Sequence, residues 1–182
     1  ATLRRDLSTF ADAGYAVDCL AELVEREGDR ARAGIIATEA ARAAAEAGAY
    51  PRAIALARTA LERNPSHAEA LAIAERASEK LGRLQEMSPI YDYAARGALG
   101  RFGRRAAHHR AARFFEMHAP MLALKHAAQA FIAVPSEGTT LGLLERTADR
   151  AQRRSVAVRT VEHVAELARS QPIRAAWLLR AA

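Results

Sequence analysis

Residues 48–66 of the chain read GAYPRAIALARTALERNPS. Ala53, Ala57 and Ala60 stand four and three positions apart, so in a helix they fall on one face. A face lined with alanine has no bulk, and a neighbouring helix can therefore approach it closely. The Pro-Ser pair at the end of the stretch stops this helix and can cap the next one. The stretch predicts a closely packed helix, a break and a second helix.

A second stretch, ALKHAAQAFIAVPS at residues 123–136, carries the same spacing 70 positions later. Its three alanines occupy the offsets of the first stripe, and a Pro-Ser pair again follows them. Half of that separation is 35 residues, and Gly100 and Pro172 continue the series of breaks near this interval. A period of this length is typical of stacked helix–turn–helix repeats.

The composition agrees with a helical fold. Alanine supplies 46 of the 182 residues, whereas aromatic residues make up only 5%. This mixture suits closely packed helices, and it leaves too few β-branched and aromatic residues for a β-sandwich core. The chain is therefore predicted to be all-α, with nine to eleven helices and no strand.

Local signals place several helix ends. The segment from Ser66 to Glu69 has the spacing of a capping box, which predicts that Ser66 caps a helix. Ser88 is followed by a proline, an arrangement typical of a helix start. Three glycines between residues 97 and 103 predict a loose stretch that permits a bend, with the next helix beginning near residue 104.

The single cysteine, Cys19, excludes a disulfide within the chain and fits a reducing compartment. No apolar run approaches the length of a membrane-spanning helix, and no targeting segment is visible. We therefore expect a cytoplasmic protein. The chain begins at Ala1 and stops within an apolar helical segment, so we interpret it as part of a longer protein.

No motif predicts catalysis, a cofactor or a metal. The chain lacks a glycine-rich phosphate loop, an HExxH pair and a nucleophile elbow. His108 and His109 are adjacent, so on a helix they diverge by about 100° and cannot ligate one ion together. The sequence therefore predicts a protein that is not an enzyme.

Charge is distributed unevenly. Residues 1–95 carry a net charge of −3 and residues 96–182 a net charge of +9. The positive charge of residues 96–182 favours an acidic partner, because the guanidinium group of arginine binds a carboxylate through two parallel hydrogen bonds. Of the basic residues 25 are Arg and only 2 are Lys, which codon bias in a GC-rich genome would also explain.

At this point a resemblance can be named. The segment 34–66 resembles a tetratricopeptide repeat, through Gly48, Tyr50, Pro65 and the alanine stripe between them. About three further units match more weakly. The resemblance implies a single domain over residues 1–182, a solenoid of antiparallel helix pairs wound into a right-handed superhelix.

In that family the first helix of each pair lines a concave groove that binds protein segments. The resemblance implies that the groove of this chain is lined by Glu39, Arg42, Arg76, Lys80, Arg105, His108, His109, Arg146 and Arg150. The groove becomes more basic toward its C-terminal end. An acidic partner further requires Arg105, Arg146 and Arg150 to converge without a carboxylate that neutralises each of them.

Three functional classes remain open. The first is a protein-interaction scaffold that binds a peptide or a partner protein. The second is a regulatory domain of a larger signalling enzyme or transcription regulator. The third is a nucleic-acid-binding helical repeat, which the sequence disfavours because no column of base-reading side chains recurs in each unit.

Overall fold

The computed structural model describes residues 28–168 and 170–181, together with positions 22, 24 and 26. Over these residues the chain is all-α, with nine α-helices, one short 3₁₀-helix and no strand. The α-helices are α1 (Arg30–Glu46), α2 (Tyr50–Arg63), α3 (Ala68–Leu81), α4 (Met87–Gly97), α5 (Gly100–Phe115), α6 (Pro120–Ala133), α7 (Gly138–Arg150), α8 (Arg154–Leu167) and α9 (Gln171–Ala181). The prediction of an all-α fold is confirmed for this part of the chain.

The ends of the first two helices follow from their residues. Asp29 caps α1, and its side chain accepts a hydrogen bond of 2.9 Å from the backbone N–H of Arg32. Gly48 lies just after α1 with φ +75°, a left-handed conformation that favours glycine. Pro51 lies in the first turn of α2, where its missing N–H costs nothing.

The predicted capping box at the start of α3 is wrong. The helix begins at Ala68, and His67 is its N-cap, with Nδ1 accepting a hydrogen bond of 3.4 Å from the N–H of Ala70. Ser66 lies one residue too early to cap it. Glu69 is consequently released from the capping role, and its side chain contacts α1 instead.

The glycine-rich segment is more helical than predicted. A 3₁₀-helix at Leu84–Glu86 leads into α4, and α5 begins at Gly100 rather than near residue 104. Gly103 lies inside α5. Glycine weakens a helix but does not forbid it, and a run of arginine and alanine follows immediately. The predicted bend at residues 97–103 remains a prediction.

The chain divides into two compact units, Ala1–Gly97 and Ala98–Ala182. In the first unit α1 packs against α2, α2 against α3, and α1 also contacts α3. Consecutive helices joined by short connections run antiparallel, as in a helix hairpin. The alanine stripe of α2, formed by Ala53, Ala57 and Ala60, is completely buried, as predicted.

Gly97 ends α4 in close contact with Pro65. A Cβ atom built on this glycine would lie 2.3 Å from Cγ of the proline ring. No real Cβ atom tolerates such a distance. The absence of a side chain at position 97 is thus what allows α4 to end against the break between α2 and α3.

The second unit repeats the pattern. Helix α5 packs on α6, α6 on α7, and α8 on α7 and α9, with further contacts between α5 and α7 and between α6 and α8. Its core contains Phe131, Leu143 and Leu144, all completely buried. Packing on chain neighbours and next-but-one helices is the arrangement of a tetratricopeptide-like fold. The repeat boundaries, the single-domain organisation and the superhelix remain predictions.

None of the helices described is both long and apolar enough to cross a membrane. Cys19, predicted to be buried, lies outside the described residues.

Candidate functional site

The predicted groove residues of the first unit lie on α1 and α3. Glu39, Arg76 and Lys80 are exposed. Arg42 is half-buried and is not free, because its Nε donates a hydrogen bond of 2.9 Å to Oε1 of Glu69. This ion pair joins α1 to α3. We therefore interpret Arg42 as a residue that connects the two helices.

In the second unit the predicted residues lie on α5 and α7, which contact each other. Arg105 of α5 donates from Nη2 to Oε1 of Glu137, the N-cap residue of α7, over 2.6 Å. Arg105 Nε and Glu137 Oε2 are buried and have no hydrogen-bond partner within the described structure. The pair thus connects the helices while using only part of its hydrogen-bonding capacity.

Arg146 and Arg150 of α7 share one carboxylate. The Nε atoms of the two arginines lie 3.4 Å and 3.7 Å from Oε1 of Glu116, which follows the last turn of α5. Arg146 also donates to the carbonyl of Gly142 over 3.2 Å, and Arg150 lies 3.1 Å from Sδ of Met117. One glutamate therefore serves two guanidinium groups.

His109 lies among these charges. It follows Arg105 and precedes Arg113 by one helical turn on α5, so the three side chains share a face. Partial burial lowers the pKa of His109 below its ordinary value of 6.5, and the positive charges of Arg105, Arg113 and Arg146 lower this pKa further. Glu137 opposes the effect. Because Arg146 acts on His109 from α7, the charged faces of α5 and α7 are neighbours.

We define the α5–α7 face as this set of charged side chains: Arg105, His109, Arg113, Glu116, Glu137, Arg146 and Arg150. It holds four arginines and two glutamates, so its net charge is +2 when His109 is neutral. Arg113 is exposed and has no ion-pair partner within the described residues. Arg105 and Arg146 both act on His109, and Arg146 and Arg150 both contact Glu116. Their predicted convergence on one concave surface remains a prediction.

The predicted absence of neutralising carboxylates is not met. Arg105 has its own carboxylate, from Glu137, and Arg146 and Arg150 share that of Glu116. The resemblance placed Glu39 in the groove but implied no role for Glu116, which follows α5, or for Glu137, which precedes α7. Their positions at helix ends were the available signal. The face keeps an excess positive charge because Arg113 has no ion pair within the described residues and because Glu116 is shared by two arginines.

His108 faces away from this set. Its Nδ1 lies 3.1 Å from Nδ1 of His126 on α6, and the rings are 5.4 Å apart. His126 is completely buried and stacks on the ring of buried Phe115. His108 thus contributes to helix packing between α5 and α6, where it contacts the buried ring of His126. In a bond between two Nδ1 atoms only one ring can donate.

A groove of about 460 Å³ lies in the first unit between α2 and α4. No sequence pattern predicted it, because its walls are mostly apolar. It is lined by Pro51, Ile54, Ala55, Arg58, Leu61, Glu62, Glu86, Pro89, Ile90, Tyr93 and Arg96. The second unit has a cavity of about 500 Å³ beside Trp177, bounded by α6, α8 and α9.

Comparisons with known proteins leave the family undecided. No protein-family model matches the chain, and no curated protein matches it in sequence. Among solved structures, the chain is similar to MamA 41-end from Desulfovibrio magneticus RS-1, with 18% identity and a TM-score of 0.37. The similarity covers 88% of this chain and 98% of that one. A TM-score this low carries no argument about function.

Proposed function

We propose that this chain is a non-catalytic scaffold that binds a protein segment on the α5–α7 face. The observation that carries the proposal is the convergence of four arginines and His109 on two adjacent helices, against two glutamates. A rigid helical backbone with charged side chains on neighbouring helices suits the recognition of an extended or helical segment.

Each of Arg105, Arg146 and Arg150 contacts a carboxylate, so the condition stated for an acidic partner is met only in that Glu116 is one carboxylate for two arginines. We propose an acidic segment as the partner on the net charge of +2 that the face keeps after these contacts. Arg113 is exposed and offers an unpaired guanidinium group, and a second carboxylate beside Arg146 and Arg150 would relieve the sharing of Glu116. Arginine binds carboxylates through two parallel hydrogen bonds, which gives both strength and orientation. A cytoplasmic location and the absence of catalysis belong to this proposal as expectations.

The test is binding of a labelled hexaglutamate peptide, followed by fluorescence anisotropy. We expect binding that weakens between about 0.05 M and about 0.3 M salt, because screening shortens the reach of exposed charges. The double substitution Arg146→Glu and Arg150→Glu should abolish it. The matched control, Arg153→Glu with Arg159→Glu, makes the same charge change at two exposed arginines that are outside the defined face and have no ion pair within the described residues.

Two results would contradict the proposal. Equal loss of binding in both double variants would mean that overall charge, and not the α5–α7 face, attracts the peptide. Tighter binding of a single-stranded RNA of equal charge, with a steep dependence on salt, would favour the nucleic-acid alternative instead. Circular dichroism melting of each variant separates a loss of binding from a loss of fold.

A further inference from the structure

The α2–α4 groove has the dimensions and lining of a small-molecule site. Its volume of about 460 Å³ falls within the range of roughly 300–1,000 Å³ that is typical of ligand pockets. Two prolines, Pro51 and Pro89, line the groove, and Ile54, Ile90 and the ring of Tyr93 add apolar surface. Such a surface suits a flat apolar ring of a ligand. The α2–α4 groove lies on different helices from the α5–α7 face.

The charges that line the groove leave one cation unpaired. Arg58 is within 3.7 Å of Glu62, and Glu86 is within 3.7 Å of Arg83, which does not line the groove. Arg96, in the last turn of α4, is exposed, and its side chain has no hydrogen bond or ion pair with any residue that the structure describes. An anionic group on a bound molecule would therefore pair with Arg96 without breaking an existing ion pair.

The hydroxyl of Tyr93 is engaged only weakly. It lies 3.4 Å from the backbone carbonyl of Glu62, at the long end of a hydrogen bond. A tyrosine presents an apolar ring and a polar tip, so it can contact both parts of a ligand that is apolar at one end and polar at the other. The groove thus has the polar hydroxyl of Tyr93 beside its apolar side chains.

From these observations we propose that the α2–α4 groove binds a small aromatic carboxylate, with its ring against the prolines and Tyr93 and its carboxylate on Arg96. A ligand of this class satisfies both the apolar walls and the unpaired guanidinium. A neutral ligand would gain no ion pair from Arg96, whose exposed guanidinium would stay hydrated. This site is independent of the proposed binding of a protein segment, because it uses other helices of the other unit.

The test compares two probes of nearly the same shape, naphthalene-2-carboxylate and naphthalene-2-carboxamide, by isothermal titration calorimetry on the whole chain. We expect the carboxylate to bind about tenfold more tightly, the difference that one charge-assisted hydrogen bond supplies. Arg96→Gln should abolish this preference while leaving binding of the amide unchanged. Arg76→Gln, an exposed arginine on α3 that does not line the groove, should preserve the preference.

A second variant tests the location. Ala55 is exposed and lines the groove, so Ala55→Trp should fill it and remove binding of both probes without lowering the melting temperature. The proposal is overturned if neither probe binds the unsubstituted chain, or if Arg96→Gln keeps the preference for the carboxylate. It is also overturned if sedimentation shows a dimer that Ala55→Trp dissociates, because a second copy would then be the occupant.

Discussion

Alanine is the residue on which helix packing in this chain depends. Ala53, Ala57 and Ala60 on α2 have no exposed surface, and the same holds for Ala33 and Ala41 on α1. A buried alanine contributes little apolar area by itself. Alanine stabilises the fold because its small side chain allows two helix axes to approach closely. The backbones and the larger neighbouring side chains then come into contact.

Enlarging one of these alanines should therefore destabilise the fold. For Ala60→Leu we expect a loss of about 1–3 kcal/mol, because the larger side chain overpacks a contact that has no free space. Thermal unfolding followed by circular dichroism measures the effect. Ala55→Leu, an exposed position on the same helix, is the matched control and should leave the melting temperature nearly unchanged. A stable Ala60→Leu variant would mean that the stripe does not pack as described.

The contact between Gly97 and Pro65 gives a second prediction at this scale. Gly97→Ala should cost about 1–3 kcal/mol, since the new Cβ would overlap the proline ring. Gly138→Ala is the control, because a Cβ at that position of α7 meets no atom within 4 Å. The control should be neutral or stabilising by up to about 1 kcal/mol, the preference of a helix for alanine over glycine. Equal melting temperatures for the two variants would contradict the contact.

At the scale of helices, α5 and α7 are joined by polar contacts at both ends of their shared face. The pair of Arg105 with Glu137 lies near the start of α7, and Glu116 holds two arginines near its end. Ion pairs at a protein surface contribute about 0–1 kcal/mol each, and these pairs are partly buried, so each also costs desolvation. Their main effect here is to fix the positions of the guanidinium groups on the face.

His109 makes the stability of this pair of helices depend on pH. Its pKa is lowered in the folded protein, so the folded state favours the neutral ring. This contribution to stability is fully present above 6.5, the ordinary pKa, and is lost as the pH falls toward the folded pKa. The melting temperature should therefore fall more steeply with acidification in the unsubstituted chain than in His109→Gln. Parallel curves below pH 6.5 would contradict the described environment of His109.

Local patterns predicted the helices and the buried alanine stripes, because both depend on residues close together in the chain. That Arg105 and Arg146 line one surface was implied by the tetratricopeptide resemblance and not by local patterns, and it remains a prediction, although both arginines act on His109. Local patterns could not predict the partners of these arginines. Glu69 illustrates the reason, since its spacing from Ser66 suits a cap while its actual contact is with Arg42, on another helix.

The α2–α4 groove was not predicted, because apolar residues give the same sequence pattern in a core and in the wall of a groove.

At the scale of the whole molecule, the chain divides into two compact units, with the boundary in the sequence between residues 97 and 98. The first contains the α2–α4 groove and the second contains the α5–α7 face. The two proposals thus concern different units and different chemistry. A partner segment bound to the second unit leaves the groove of the first unit unused.

The central claim is that the α5–α7 face binds an acidic segment, and hydrogen exchange with and without the hexaglutamate peptide tests it most directly. Amides whose helices contact a ligand exchange more slowly, because local opening then requires dissociation. We predict slower exchange in α5 and α7 on addition of the peptide, and no change in α2 and α4. Unchanged exchange in α5 and α7 at saturating peptide, or protection confined to other helices, would contradict the account.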